Sequence, residues 1–330
     1  MHLSPSSLTR RALVSLAAGL LAGAATAQAP TSADAYPNQP IRIVVPYPPG
    51  GATDTLARMV AAKLQESWGQ TVIVDNKPGA SGVLGNDMVA KSLPDGYTVL
   101  LAITAIVQLP ALKPKMPYDV LKDLQPLAQV ASTNSVFLVP AATPVNSLKE
   151  FVALAKAHPG TYNFGSYGVG TSSHIQGSLL NLQAGVDLVH VPYKGAAPLL
   201  QDLKGSQLSS AFIDMATARP QLEGFKALAV TGTQRNKVLP NVPTFAELGF
   251  HSFEPVGWFG LFMPSGVSAP VAKKFAAEAR RILKLPDVMA RIEALGMAPG
   301  NLTAEEFARL VRSDAQVYAK IIKDANIQVE

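Results

Sequence analysis

The sequence of 330 residues contains no cysteine, which excludes a disulfide scaffold, a thiol nucleophile, a thiolate metal site and a lipidated cysteine anchor. Charged residues make up only 15% of the chain, whereas about 25% is usual for a soluble protein. Aromatic residues make up 7%, which argues against an aromatic-lined pocket, although Tyr47, Tyr167 and Trp258 are candidates to line one. Basic residues occur singly or in pairs, so nothing indicates nucleic-acid binding.

The chain also lacks an uninterrupted apolar stretch of the roughly 20 residues that a membrane-spanning helix needs. The nearest run, residues 12–25, follows Arg10 and Arg11 and leads into a small-residue pattern that ends at Ala27. These are the three parts of a secretory signal peptide, and the paired arginines leave both the Sec and the twin-arginine routes open. We therefore predict an exported protein that is cleaved near Ala27 and has no membrane anchor. An anchored or amphipathic N-terminal arm is the alternative.

Strand and helix patterns alternate along the remaining chain. Short β-branched runs at Ile41–Val45, 71–74 and Thr98–Ile103 are separated by helical spacing, and this βαβαβ order predicts a parallel sheet with helices on both faces. The proline-rich passage 109–126 has no clear periodicity, and a second alternating set follows it. Two α/β units are therefore expected, with a ligand cleft where the loops after the strands converge.

Two glycine-rich loops each precede a predicted helix. In the first, residues 46–54, Gly50 and Gly51 allow the backbone to approach a ligand, and the helix start offers N–H groups to an anion. The second, residues 165–174, reads GSYGVGTSSH and places small hydroxyl residues before its helix. Two such loops that face each other would hold a small diacid, one end in each unit. Simple turns, with Asp54 as a helix cap, are the alternative.

The string VPYPPGG at residues 45–51, followed by Asp54, is one of several motifs spread along the chain. The others include NKPGASG at 76–82, PDGYT at 94–98, VPYKG at 191–195 and LPNVPT at 239–244. Together they resemble the motifs of the Bug family, the periplasmic receptors of tripartite tricarboxylate transporters. The resemblance implies the α/β fold of type II periplasmic binding proteins, a Venus flytrap with two lobes around a ligand cleft.

The resemblance also implies how the chain is divided and with what it interacts. We expect a signal peptide at 1–27, a first lobe at 28–135 and 255–330, and a second lobe at 136–254. The protein would be a periplasmic monomer without a cofactor or metal. It would capture a small organic acid and make transient contact with an inner-membrane permease.

In the family, one ligand carboxylate is held by the first strand-to-helix loop, with contacts from the second lobe. Segments 104–110 and 205–212 depart from the family pattern near the expected cleft, so the ligand itself is not identified. The candidate ligand-binding residues in this chain are Tyr47, Gly50, Gly51, Thr53, Asp54, Ala80, Ser81, Thr104, Ser166, Gly168, Thr171, His174 and Asp214.

Several of these residues have a structural alternative. His174 either binds a carboxylate or stabilises its loop, Asp54 either selects an amino group or caps its helix, and Asp214 either faces the cleft or binds backbone donors. His190 alternates with two valines, which predicts that it points away from the buried face of its strand.

The sequence contains few of the motifs that are typical of enzymes. It has no G-x-S-x-G elbow, no histidines at metal-ligand spacing and no obvious pair of carboxylates. A binding protein is therefore favoured over the alternative, a cofactor-free isomerase or lyase that acts on a small carboxylate.

Overall fold

A computed structural model describes residues 35–113, 115–253 and 256–328 of the chain. The predicted signal peptide lies outside these residues. Among the helices of the described part, none has the length and apolar character that crossing a bilayer requires.

The first sheet has six strands. These are β1 (Ile41–Val45), β2 (Val72–Asn76), β3 (Thr98–Ile103), β4 (Leu124–Thr133), β10 (Gly257–Pro264) and β11 (Ala298–Pro299). They lie in the order β11-β4-β10-β3-β1-β2. Strands β1, β2 and β3 run parallel, as the βαβαβ pattern predicts, whereas β10 is antiparallel to both β3 and β4.

The second sheet has five strands in the order β7-β6-β8-β5-β9. These are β5 (Ser135–Pro140), β6 (Asn163–Ser166), β7 (Val189–Pro192), β8 (Ser210–Asp214) and β9 (Phe225–Val230). Strands β6, β7 and β8 are parallel, and β5 is antiparallel to β8 and β9.

Helices connect and cover the strands of both sheets. Those associated with the first sheet are α1 (Ala52–Trp68), α2 (Val83–Ala90), α3 (Ala105–Leu112), α4 (Val120–Asp123), α9 (Ala269–Leu283), α10 (Pro286–Ala294) and α11 (Ala304–Asp324). Those associated with the second are α5 (Leu148–Ala157), α6 (Ser172–Ala184), α7 (Ala196–Lys204) and α8 (Met215–Ala218).

Alternate residues of the first sheet enter two separate apolar cores. Ile43 and Val45 of β1 belong to the core that contains Phe275 of α9, whereas Val44 belongs to the core that contains Phe307 of α11. Because successive side chains of a strand point to opposite faces, both faces of this sheet are covered by helices. This burial on both sides explains why β1 reads as a continuous apolar run.

The passage without clear periodicity contains the end of α3 and all of α4. Helix α3 was not predicted. Its sequence, AIVQLPAL, is almost entirely apolar because residues on most sides of the helix are buried. A helix without a polar face leaves no amphipathic period to detect.

Trp258 of β10 ties the C-terminal helix to the first sheet. Its indole Nε1 donates to Oδ2 of Asp314 in α11 at 2.7 Å, and its backbone N–H donates to Oγ1 of Thr104 at 2.7 Å. Burial raises the pKa of Asp314, while the hydrogen bond from Trp258 opposes that rise. Hydrogen bonds from both its backbone and its indole therefore fix the position of Trp258.

The chain passes between the sheets at two places that lie side by side. Asn134 alone joins β4 to β5, and residues 231–256 lead from β9 to β10. The backbone N–H of Ser135 donates to Oγ1 of Thr231 at 2.8 Å, and the Asn134 amide donates to the carbonyl of Thr231. We propose that each sheet with its helices is one lobe, and we call them the first and the second lobe. The divisions fall at Asn134 and within residues 231–256, close to the expected 135/136 and 254/255.

Candidate ligand-binding cleft

A cavity of about 430 Å³ is lined by loops of both lobes. Its wall is mainly apolar and includes Ile103, Phe212 and Phe259, and eight serine and threonine residues add hydroxyl groups. The charged lining side chains among the described residues are Lys194 and Asp214, and no arginine lines the cavity there. A ligand in this cavity would therefore be held mainly by neutral donors.

The first-lobe wall of the cavity includes the N-terminus of α1. The N–H groups of Gly51, Ala52 and Thr53 have no acceptor among the described residues, and these three residues line the cavity. The Thr53 side chain also has no described hydrogen-bond partner, although the residue is only 7% exposed. Unsatisfied N–H groups and the helix dipole together favour an anion at this position.

Asp54 does not line the cavity. Its carboxylate accepts from the N–H of Gly50 at 3.0 Å, from Asn76 at 3.1 Å and from Arg58 at 3.0 Å. Burial by itself would raise the pKa of Asp54, but the hydrogen bonds from Arg58, Gly50 and Asn76 lower it. Asp54 therefore does not cap α1, which its structural alternative predicts, but supports the preceding turn, where Gly50 adopts a φ of +87°.

The second-lobe wall includes the N-terminus of α6. Ser172 and Ser173 line the cavity, and their N–H groups have no acceptor among the described residues. Their neighbour Thr171 donates its hydroxyl to the carbonyl of Gly168 at 2.7 Å, and the N–H of Tyr167 donates to Oγ of Ser173 at 3.1 Å. The loop thus satisfies its own polar groups and leaves the helix N–H groups free for a ligand.

A third helix N-terminus, that of α7, also reaches the cavity. Gly195, Ala196 and Ala197 line it beside Lys194, whose exposed ammonium group has no ion-pair partner in the described part of the chain. Asp214, on the same wall, accepts from the Tyr167 hydroxyl at 2.8 Å and from the N–H of Thr217 at 3.0 Å. Asp214 therefore combines the two roles that the sequence leaves open.

The turn at 80–82 contacts the opposite lobe instead of lining the cavity. Ala80 and Ser81 have positive φ values of 50° and 58°, and the Ser81 hydroxyl donates to the carbonyl of Val169 at 2.9 Å. Gly168 has a φ of +128°, which other residues rarely adopt, and a Cβ atom there would lie 2.9 Å from Oγ of Ser81, so glycine is favoured at this approach. Gln108 adds a second contact between the lobes, because its Nε2 donates to Oγ of Ser172 at 2.8 Å.

His174 and Ser166 lie behind the second-lobe loop. The rings of His174 and His190 stack with centroids 4.2 Å apart, and Nε2 of His190 lies 2.7 Å from Oγ of Ser166. His190 therefore faces α6, and the prediction that it points away from the buried face of its strand is wrong. Alternation distinguishes the two faces of a strand but does not show which face a helix will cover.

Both imidazoles are uncharged at neutral pH. Burial lowers the pKa of His174 to about 4. Burial, together with the repulsion from His174, also lowers the pKa of His190 to about 4. In the neutral pair, Nδ1 of His174 accepts from the N–H of Gly170 at 3.2 Å.

Part of the predicted ligand-binding set therefore meets at one cavity. The predicted residues that line it are Tyr47, Gly50, Gly51, Thr53, Thr104, Thr171 and Asp214. Those that do not line it are Asp54, Ala80, Ser81, Ser166, Gly168 and His174.

Tyr167 and Trp258, the further aromatic candidates, also line the cavity, whereas other lining residues were not predicted. Ser135 lies directly opposite Asp214 in the antiparallel pair of β5 and β8, and strand pairing of this kind leaves no local sequence signal. The start of α7, in contrast, could have been found, because Gly195 stands between a strand and a helix as Gly51 does.

Comparison with known proteins identifies the family. The family model described as tripartite tricarboxylate transporter family receptor matches residues 56–327. The chain belongs to this family.

Solved structures agree with this assignment. The periplasmic binding protein BugD is 31% identical and superposes with a TM-score of 0.84, over 89% of this chain and 100% of that chain. This match confirms both the predicted binding-protein fold and the resemblance to the Bug family.

Two further structures of similar proteins contain carboxylates. Rpa4515 of R. palustris with adipate is 29% identical, with a TM-score of 0.85 over 89% of this chain and 99% of that chain. MatC from Rhodopseudomonas palustris with bound malate is 31% identical, with a TM-score of 0.82 over 87% of this chain and 100% of that chain.

The lowered histidine pKa values predict a pH-dependent stability. Between about pH 4 and 6.5 the unfolded chain binds more protons than the folded chain, so the free energy of unfolding falls as the pH decreases through this range. At about 1.4 kcal/mol for each pKa unit, the expected loss is roughly 3 kcal/mol for the buried His174. It is smaller for His190, which is only half-buried and therefore screened by solvent, and both losses are absent above about pH 6.5.

Urea unfolding at a series of pH values between about 4.5 and 7 measures this loss. The double variant His174→Asn/His190→Gln should lose most of the slope, since its carboxylates are unchanged. A wild-type free energy that stays constant over this range would contradict the assignment of neutral, buried imidazoles.

Proposed function

We propose that the protein is a periplasmic solute-binding protein that captures a small organic acid between its lobes for a tripartite tricarboxylate-type transporter. The observation that carries this proposal is the convergence of two helix N-termini, one from each lobe, on a single cavity. The N–H groups of Gly51, Ala52 and Thr53 would bind a carboxylate from the first lobe. Those of Ser172 and Ser173 would bind from the second lobe.

The remaining predicted residues would have different roles in this binding site. Gly50 and Thr171 shape the two helix starts, while Tyr47, Thr104 and Asp214 form the wall. The residues outside the lining, Asp54, Ala80, Ser81, Ser166, Gly168 and His174, act through the loops that they support or through contacts between the lobes.

The two carboxylate-containing structures support an organic acid as the ligand class. The charge of the cavity is compatible with such a ligand, because helix N-termini favour anions and the positive charge of Lys194 balances the negative charge of Asp214. An apolar wall that includes Phe212 and Phe259 would suit the hydrocarbon part of the acid.

Capture would proceed by closure of the two lobes. The open protein binds the acid at α1, and rotation about the crossing segments near Asn134 and Thr231 brings α6 onto the ligand. The contacts of Ser81 with Val169 and of Gln108 with Ser172 then form between the lobes. The ligand stabilises the closed form because only that form offers both sets of N–H groups.

The proposed function also includes export of the protein and contact with a permease. Cleavage near Ala27 would release a monomer into the periplasm, where the closed form makes transient contact with an inner-membrane permease. Because the chain belongs to a family of transporter receptors, we propose that it binds its ligand and catalyses no reaction.

The proposed function predicts that small carboxylates raise the thermal stability of the protein. A ligand that binds only the folded state adds about 2.7 kcal/mol at a hundredfold excess over its Kd, which shifts Tm by several degrees. The measurement is a thermal-shift screen of mono-, di- and tricarboxylates that includes adipate and malate, with matched amides and alcohols as uncharged controls.

No shift with any carboxylate, or equal shifts with the uncharged controls, would contradict the proposal. Conversion of a bound acid into a new compound, followed by NMR, would instead support the alternative of a cofactor-free cleft enzyme.

A further prediction concerns Gly51 at the start of α1. Its φ of −83° is accessible to any residue, and a Cβ atom there meets nothing within 4 Å, so Gly51→Val should fold normally. The new side chain would cover the N–H groups at the start of α1, and we expect the affinity for the best carboxylate of the screen to fall by about a hundredfold.

Isothermal titration calorimetry and the Tm without ligand measure the two effects separately. Gly224→Val is the matched control, because Gly224 lies outside the cavity lining and its Cβ atom would meet only Lys204, at 3.9 Å. Unchanged affinity in Gly51→Val would show that the first loop is no more than a turn.

A further inference from the structure

Three stacked aromatic rings lie behind the second-lobe loop, outside the cavity. Phe164 of β6 stacks on His190 of β7 with ring centroids 4.9 Å apart, and His190 stacks on His174 of α6 at 4.2 Å. Neither imidazole has an ion-pair partner or a carboxylate hydrogen bond among the described residues. The two imidazoles therefore interact with the loop and with each other rather than with a charge.

His174 holds the second half of the loop. Its Nδ1 accepts from the N–H of Gly170 at 3.2 Å, which requires the neutral ring with its proton on Nε2. Gly170 has a φ of +82°, and a Cβ atom there would lie 2.5 Å from Cδ2 of Leu109 in the first lobe. The backbone of Gly170 is consequently held by its hydrogen bond to His174 and, on the other side, lies too close to Leu109 to carry a side chain.

His190 holds the first half of the loop through Ser166. The hydroxyl of Ser166 lies 2.7 Å from Nε2 of His190 and accepts from the N–H of Gly168 at 3.1 Å. Gly168 in turn accepts the Thr171 hydroxyl through its carbonyl at 2.7 Å. A chain of hydrogen bonds therefore runs from the imidazole pair to Thr171, the residue that precedes α6.

We propose that His174 and His190 are positioning residues, which fix loop 166–171 and thereby aim the N–H groups of Ser172 and Ser173 at the ligand. The inference rests on the proposed function, because it takes these N–H groups as ligand donors. A loop containing two glycines with positive φ would lose much conformational entropy on ordering. The imidazole pair orders it before the ligand arrives, which removes this cost from binding.

The alternative role, in which the rings only fill space, makes the opposite prediction for two substitutions. His174→Phe keeps the aromatic stack but removes the acceptor for Gly170. His174→Asn removes the stack, but its Oδ1 occupies the place of Nδ1 and can still accept from Gly170. If His174 positions the loop, the Phe variant should bind adipate or malate roughly tenfold more weakly, and the Asn variant should bind close to normally.

Two substitutions of His190 separate the positioning role from space filling in the same way. His190→Gln retains a polar atom near the place of Nε2, whereas His190→Phe retains only the ring. We expect the Gln variant to keep its affinity and the Phe variant to lose roughly tenfold. His251→Phe is the control, since the His251 side chain is exposed and lies outside the cavity lining.

Amide hydrogen exchange provides a readout that needs no ligand. The Gly170 amide of the ligand-free protein should exchange roughly tenfold faster in His174→Phe than in the wild type or in His174→Asn. The ¹⁵N chemical shifts of the His174 ring should show an unprotonated Nδ1.

Each outcome bears on a different claim. Unchanged Gly170 exchange in His174→Phe, or normal affinity in both Phe variants, would overturn the positioning role. A wild-type protein that binds no carboxylate would overturn the proposed function and the ligand part of this inference. The exchange experiment would still decide whether His174 holds the loop.

Discussion

The first backbone N–H groups of an α-helix have no acceptor within the helix, and this constraint organises the cleft. Most helices satisfy these groups with a capping side chain or with water. Here the N-termini of α1 and α6 lack a capping hydrogen bond and line one cavity from opposite lobes. Each lobe alone presents only part of the proposed site, and an anion bound between them would supply the missing acceptors for both.

The surrounding polar groups are arranged so that these donors stay free. Asp54 accepts from its own loop and from Arg58 and Asn76, so its negative charge is turned away from the cavity. In the second lobe, Thr171 and Ser173 use their hydroxyls within the loop. The neutral imidazole of His174 accepts from Gly170 without adding a charge. Under the proposed function, recognition by backbone donors would therefore depend on Thr171 and Ser173, which line the cavity, and also on Asp54 and His174, which do not.

Much of this architecture could be predicted from sequence, and the failures have identifiable causes. The β-branched runs of β1 and β3, and the glycine loops after β1 and β6, are local features that the chain encodes directly. Helix α3 was missed because burial on most sides removes the polar period that marks a helix. The orientation of His190 and the pairing of Ser135 with Asp214 depend on which elements meet in space. Likewise, Ser81 belongs to a predicted loop, but its contact with Val169 exists only where the lobes meet.

The most direct test of this account is a crystal structure of the protein with the carboxylate that stabilises it most. The account predicts one ligand in the cavity between the lobes. A carboxylate group should accept from the N–H groups at Thr53 and the ligand should contact the start of α6. A ligand bound outside this cavity, or one that directs its carboxylate away from both helix N-termini, would contradict it.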